Sequence, residues 1–181
     1  MAKEEKVVIF IDGSNHYNII KRLLPKNKPM DFNFDRFIKS IFKDRKLVRT
    51  YYYTAPLDIA YDAKGYANQQ RFFDKIKRIQ NFKLVLCRMQ KVKINGKTVY
   101  QVKEDDIQLA VDMVKLAYNN AYDTAILVSS DGDFVPAVKA IKEIGKNVEN
   151  IGFENKFSYH LRQECDKFTK LMKNEVSAFF D

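Results

Sequence analysis

Val7-Val8-Ile9-Phe10-Ile11-Asp12-Gly13-Ser14 is a run of five apolar residues, four of them β-branched, that stops at a carboxylate and a turn. A strand without a polar face must be covered on both sides, as in the middle of a parallel sheet. Asp12-Gly13-Ser14 is a turn that can start a helix. Far downstream the same pattern returns: Thr124 to Ser129 is a buried strand, followed by Ser130-Asp131-Gly132-Asp133.

Around these two strands the chain alternates. Asn33 to Phe42 carries Phe34, Phe37, Ile38, Ile41 and Phe42 at the spacing of an amphipathic helix. Leu47 to Tyr53 reads as a strand rich in tyrosine, and its alternation puts at least one of Tyr51, Tyr52 and Tyr53 in the core. Thr54 to Gly65 reads as a loop, and Tyr66 to Ile79 as a helix through Phe72, Phe73, Ile76 and Ile79. Phe82 to Cys87 is the next strand. Asn95-Gly96, between Lys91–Ile94 and Lys97–Tyr100, signals a two-residue β-hairpin. Helices are expected over Asp105 to Asn119 and over Phe134 to Ile144, the second stopped by Gly145. Val148 to Phe153 is a fifth strand, and Ser158 to Asp166 a terminal helix. Such alternation implies right-handed crossovers and a three-layer α/β fold. Its central sheet is mainly parallel, flanked by helices and Rossmann-like, with an inserted hairpin, in one domain over residues 1–181.

Composition narrows the class. With 181 residues, 46% of them hydrophobic and 14 of them phenylalanine, the chain can bury a proper core. No apolar run approaches the roughly 18 residues needed to cross a bilayer. Met1 to Lys6 is charged and leads straight into a strand, unlike a signal peptide. Cys87 and Cys165 lack zinc-ligand spacing and are expected to be buried thiols. These features point to a cytoplasmic protein with no membrane partner, and leave homo-oligomerisation open. The net charge of +9 suits nucleic acid without specifying it.

In open parallel sheets ligands bind beyond the carboxyl ends of the strands. Asp12 follows the first strand there, and Asp131 and Asp133 follow the fourth, so all three should project from one edge. On the helix from Asp105, a buried face through Leu109, Ala110, Met113, Val114 and Ala117 puts Asp106 near its middle, in the first turn. Asp106 can therefore reach over the sheet edge, whereas Asp105 is expected to cap or flank and Asp112 to lie further off. Carboxylates about 5 Å apart repel by roughly 0.8 kcal/mol per pair in water, and by more at lower dielectric. Such a group needs protons or a cation. Oxygen ligands without His or Cys favour Mg²⁺ or Mn²⁺, ions suited to phosphodiester chemistry. Asn15, one step inside the junction, could bind a phosphate or cap the helix, and the same choice applies to Ser129 and Ser130.

Val8-Ile9-Phe10-Ile11-Asp12-Gly13-Ser14-Asn15, Asp105-Asp106-Ile107 and Leu127-Val128-Ser129-Ser130-Asp131-Gly132-Asp133-Phe134, in this order, resemble the NYN domain family. The LabA-like branch is the most similar. The resemblance runs from about Val7 to Phe153 and implies a PIN-like fold, in a superfamily whose active members are metal-dependent ribonucleases. It implies a metal site at Asp12, Asp106 and Asp131, with Asn15 beside it and Asp133 as a further acid. The LabA-like pattern has Lys-Gly-apolar-Asp where this chain has Lys103-Glu104-Asp105-Asp106.

RNA also needs positive charge near the acids. Arg88, Lys91, Lys93, Lys97 and Lys103 could form a basic ribbon along the hairpin, or merely protect a sheet edge. Arg71 and Arg49 are outlying candidates. His16 is expected at the surface or in a cap. The reading is a Mg²⁺- or Mn²⁺-dependent endoribonuclease, with Asp12, Asp106 and Asp131 as catalytic metal ligands and Asp133 assisting as a fourth acid of the metal site. Asn15, Ser130, Arg88, Lys91, Lys93 and Lys103 would contact substrate. The alternative is a non-catalytic RNA-binding or regulatory module. A haloacid-dehalogenase phosphatase ranks last, because Ser14 stands where that chemistry needs an acid two residues after the nucleophile.

Overall fold

β1 (Lys6–Asp12) lies in the interior of a six-stranded parallel sheet ordered β3-β2-β1-β6-β7-β8. The computed structural model describes residues 4–180. Met1–Lys3, read above as part of a charged lead-in, and Asp181 lie outside them. The other strands of the sheet are β2 (Lys46–Thr54), β3 (Phe82–Leu86), β6 (Thr124–Val128), β7 (Asn147–Phe153) and β8 (Lys167–Leu171). The helices are α1 (Gly13–Leu23), α2 (Phe34–Phe42), α3 (Ala63–Lys77), α4 (Asp105–Tyr118), α5 (Val135–Glu143), α6 (Tyr159–Glu164) and α7 (Lys173–Ser177). Short 3₁₀ turns cover Pro29–Asp31 and Gly132–Phe134. The expected three-layer α/β fold is the observed one.

The apolar run of β1 works as its sequence requires. Val7, Ile9 and Ile11 face a core shared with α1, α2 and α3, while Val8 and Phe10 face one shared with α4 and α5. Tyr52 and Tyr53 are buried on opposite faces of β2. The hairpin forms a separate antiparallel pair, β4 (Arg88–Ile94) and β5 (Lys97–Lys103). Asn95 and Gly96 both have positive φ, as a two-residue hairpin turn demands.

Several expectations need correction. The loop assigned to Thr54–Gly65 is shorter, because Asp62 accepts a hydrogen bond from the Gly65 amide (2.8 Å) and starts α3 three residues early. The last helix is not terminal: β8 and α7 follow it. β8 is a lysine-bearing edge strand, a pattern that blunts sheet edges and hides their periodicity. His16 is neither surface nor cap. It is 2% exposed among the rings of Phe32, Phe34 and Phe153, and burial lowers its pKa to about 3, so it is neutral. Cys165 is buried, but Cys87 only partly so. Among the described residues, no helix is long and apolar enough to cross a membrane.

Candidate metal centre

The strand order reverses between β1 and β6, and their carboxyl ends open a crevice where such sheets hold ligands. Asp12, at the end of β1, is 4% exposed. Its Oδ1 accepts a hydrogen bond from the Asn15 amide (2.9 Å), capping α1, and its Oδ2 accepts one from the Ser129 hydroxyl (2.9 Å). Asp12 therefore serves as both cap and cleft carboxylate.

Asp105 and Asp106 reach the same place from the first turn of α4. Ligand oxygens of Asp12, Asp105 and Asp106 all lie within 4.8 Å of one another. Asp105 was expected to cap or flank. Instead it is 7% exposed and accepts a hydrogen bond from the Ser14 hydroxyl at 3.1 Å. The reason lies in the helix face: the fully buried stripe is Asp105, Leu109, Met113 and Ala117, spaced by four, which turns Asp105 inward and leaves Asp106 exposed at the rim. Asp112 lies apart from the cluster, where its carboxylate accepts from the Tyr53 hydroxyl (3.1 Å).

Glu104 precedes this turn at φ 73°, with no side-chain cap. A left-handed residue with a Cβ is costly where glycine is not, and Glu104 stands where the LabA-like pattern has glycine. Glu104→Gly is expected to stabilise the protein by about 0.5–1 kcal/mol, net of glycine's greater unfolded-state freedom. Urea denaturation at unchanged slope would measure it; a loss of stability would mean that the exposed Glu104–Arg88 ion pair (2.9 Å) outweighs the backbone.

Asp131 completes the cleft, of about 440 Å³, beside Asp12, Asp105, Asp106, Asn15 and the hairpin residues Tyr100 and Gln101. It caps the following 3₁₀ turn by accepting from the Asp133 amide (2.9 Å). Asp133 is exposed and does not line the cleft, although its charge reaches Asp106. Ser129 positions both flanks: besides donating to Asp12, its Oγ accepts from the Asp131 amide (3.1 Å). Buried Asn150, which sequence reasoning did not single out, donates through Nδ2 to the carbonyls of Leu127 (3.1 Å) and Ser129 (3.0 Å), pinning the end of β6. A polar residue inside an otherwise apolar strand was the available signal.

The substrate-contact candidates are spread out. Asn15 lines the cleft, but its Oδ1 is occupied by the Ser130 amide (3.1 Å). The Ser130 hydroxyl donates to the Lys156 carbonyl (2.7 Å) and does not line the cleft. Arg88 pairs with Glu104, and Lys91 lies over the Tyr100 ring. Lys93 and Lys103 are exposed on the hairpin, and the side chain of Lys97 lies outside what is described.

No lysine or arginine is among the described residues lining the cleft, which holds four carboxylates. Burial, then the charges of Asp106 and Asp105, push the Asp12 carboxyl up to about 7, against the pull of its hydrogen bonds. Burial and the charges of Asp105, Asp131 and Asp133 raise Asp106 to about 6. Within 4.8 Å of one another, each pair of charges among Asp12, Asp105 and Asp106 costs about 3.5 kcal/mol or more at an effective dielectric of about 20. A hard divalent cation relieves that cost, and an all-oxygen donor set fits one.

The family model of the NYN domain matches residues 6–172. The chain belongs to the NYN domain family. Over 99% of this chain and 89% of its own length, the low amplitude and bright protein LabA of Synechococcus elongatus is 23% identical, which supports a place in the LabA-like branch of NYN domains. An uncharacterized protein of Methanocaldococcus jannaschii is 41% identical over 66 residues, covering 36% of this chain and only 28% of that protein. A solved structure of a protein of unknown function from Vibrio parahaemolyticus shares the fold at a TM-score of 0.73. The two chains are 23% identical, with 94% of each covered.

Proposed function

We propose that this NYN domain is a divalent-metal-dependent endoribonuclease. The observation that carries the reading is a cleft lined by Asp12, Asp105, Asp106 and Asp131, with no lysine or arginine among the described residues that line it. Asp12, Asp105 and Asp106 would hold Mg²⁺ or Mn²⁺, with Asp131 lining the same cleft. When bound, such an ion supplies Lewis acidity toward a phosphodiester and its attacking water. The chain's own residues prepare the place. Ser129 and Asn15 fix the Asp12 carboxylate, Ser14 fixes Asp105, and Asn150 holds the β6 end from which Ser129 acts. The Asn15 Nδ2 group makes no hydrogen bond among the described residues and remains a donor for a phosphate oxygen. Asp133 would act from outside the cleft, through its charge.

The test is cleavage of end-labelled single-stranded RNA with Mn²⁺ or Mg²⁺. Wild-type protein is expected to cut internally. Asp106→Asn and Asp105→Asn are each expected to lose at least roughly 100-fold, since even partners of metal ligands cost 10–100-fold when removed. Activity should rise through pH 6 to 7 as Asp106 and Asp12 lose their protons. Cleavage that survives chelator and both variants belongs to a contaminant and sinks the proposal. RNA binding without cleavage would favour the non-catalytic module.

A further inference from the structure

The acid cleft does not stand alone. Ser14 and Asn18 on α1 line both it and a second, apolar cavity of about 200 Å³. That cavity is walled by Tyr17, Met30, Leu57, Phe72 and Met89, among others. Polar groups are few: the Thr54 hydroxyl makes no hydrogen bond among the described residues, and both ends of Gln69 are spent on the backbone of Leu57 and Ala55. An apolar slot with a few polar edges suits a flat heteroaromatic ring.

Tyr17, Met30, Leu57 and Phe72 in turn line a third, open groove of about 720 Å³ between α1 and α3. It carries five cations, Lys21, Lys28, Lys64, Arg71 and Lys75, against the carboxylates of Asp31 and Asp62. The α3 cations follow helical spacing: Lys64, Arg71 and Lys75 share one stripe with Asn68. All five are exposed, and none forms an ion pair among the described residues. The hairpin offers less: Arg88 is paired and Lys91 is spread over a ring.

We propose that single-stranded RNA leaves the carboxylate cleft along α1, places one unstacked base in the apolar cavity, and lays its next phosphates on Lys21, Lys28, Lys64, Arg71 and Lys75. This rests on reading the cleft as the place where an RNA phosphodiester is held. Acid cleft, apolar slot and basic groove are contiguous through shared residues, in the order that a phosphate, a base and further phosphates require. The slot excludes duplexes, whose bases are stacked and paired.

The experiment is fluorescence anisotropy of a labelled ten-nucleotide RNA with the 181-residue chain in chelator, where cleavage cannot interfere. Wild type is expected to prefer the single strand over the same sequence as a duplex by at least tenfold. Lys21→Glu/Arg71→Glu should weaken binding by at least tenfold. Its neutral counterpart, Lys21→Gln/Arg71→Gln, should lower the slope of log affinity against log salt by about 1.4, or 0.7 per lost phosphate contact. Tyr17→Ala should cost roughly tenfold by loss of stacking, and Lys91→Glu/Lys93→Glu less than twofold. Thermal melts verify that each variant is folded. The path is overturned if the hairpin pair costs more than the groove pair, if duplex binds equally well, or if wild type binds no single strand. Parallel cleavage assays with Mn²⁺ separate the two proposals. A wild type that binds through the groove but never cuts ends the nuclease reading alone. One whose groove variants bind and cut normally ends the path alone.

Discussion

Replacing Asp12 by asparagine is expected to abolish metal-dependent RNA cleavage and, in the same protein, to raise stability measured without metal. The native fold holds the Asp12 carboxyl at about 7 against an ordinary 3.8. Between those values the folded state keeps a proton that the unfolded chain has released, so stability falls as pH rises through the interval. Asparagine has no proton to lose. The advantage of Asp12→Asn should grow from pH 3.8 to about 7, stay constant above, and reach on the order of 4 kcal/mol. Its amide keeps an acceptor for the Asn15 N–H and offers a donor to Ser129. Metal reverses the order. At a hundredfold excess over its Kd, Mn²⁺ stabilises wild type by about 2.7 kcal/mol, roughly 5–10 °C in Tm for a chain this size, and Asp12→Asn should show no such shift. Melting curves at pH 5 and pH 8, with and without Mn²⁺, decide it. A variant that melts below wild type at pH 8 without metal would contradict the strain assigned to this carboxylate.

Gly13→Ala should be nearly as damaging as Asp12→Asn is stabilising. A Cβ on Gly13 would stand 2.5 Å from the Tyr52 ring and 2.5 Å from the carbonyl oxygen of Tyr53. Tyr52 is buried, and its hydroxyl donates to the Gly13 carbonyl (3.4 Å), so the ring has nowhere to retreat. Relief requires parting β1 from β2 where Asp12 pairs with Tyr53, or tilting α1. Overpacking of this kind costs about 3 kcal/mol, and the displacement falls on the residue next to Asp12. Gly13→Ala should therefore lose stability in urea and its Mn²⁺ response together. Gly132→Ala is the contrast, since a Cβ there meets only the Ser158 hydroxyl at 3.1 Å. Equal losses from the two substitutions would show that glycine content, not this contact, matters.

The legible parts of the chain were those where one residue type answers to one constraint. The apolar runs of β1 and β6 read as covered strands, and of the aspartates that follow them Asp12 and Asp131 line the cleft at the sheet edge while Asp133 does not. The hairpin announced itself through Asn95-Gly96. The rest depended on neighbours. Asp105 and Asp106 are one helical step apart, and the tilt of α4 decided which faces inward; including Ala110 and Val114 in the buried face shifted the wheel the wrong way. His16 looked like a surface group because its aromatic shell comes from Phe32, Phe34 and Phe153, remote segments that periodicity cannot link. β8 went unseen because an edge strand carrying Lys167 and Lys170 has no apolar face to read.

The pairing of β1 with β6 bears on the order of events during synthesis. Ile9 lies opposite Ile126, so β1 waits for one of its two neighbours until more than a hundred further residues have been made. Sheets closed by such distant pairings form slowly, because the entropy of a long loop is lost before any contact repays it. The acids of the cleft are distributed in the same way: more than a hundred residues separate Asp12 from Asp131. A nascent chain thus carries Asp12 without Asp131, and the cleft cannot be completed until the long stretch between them has been made.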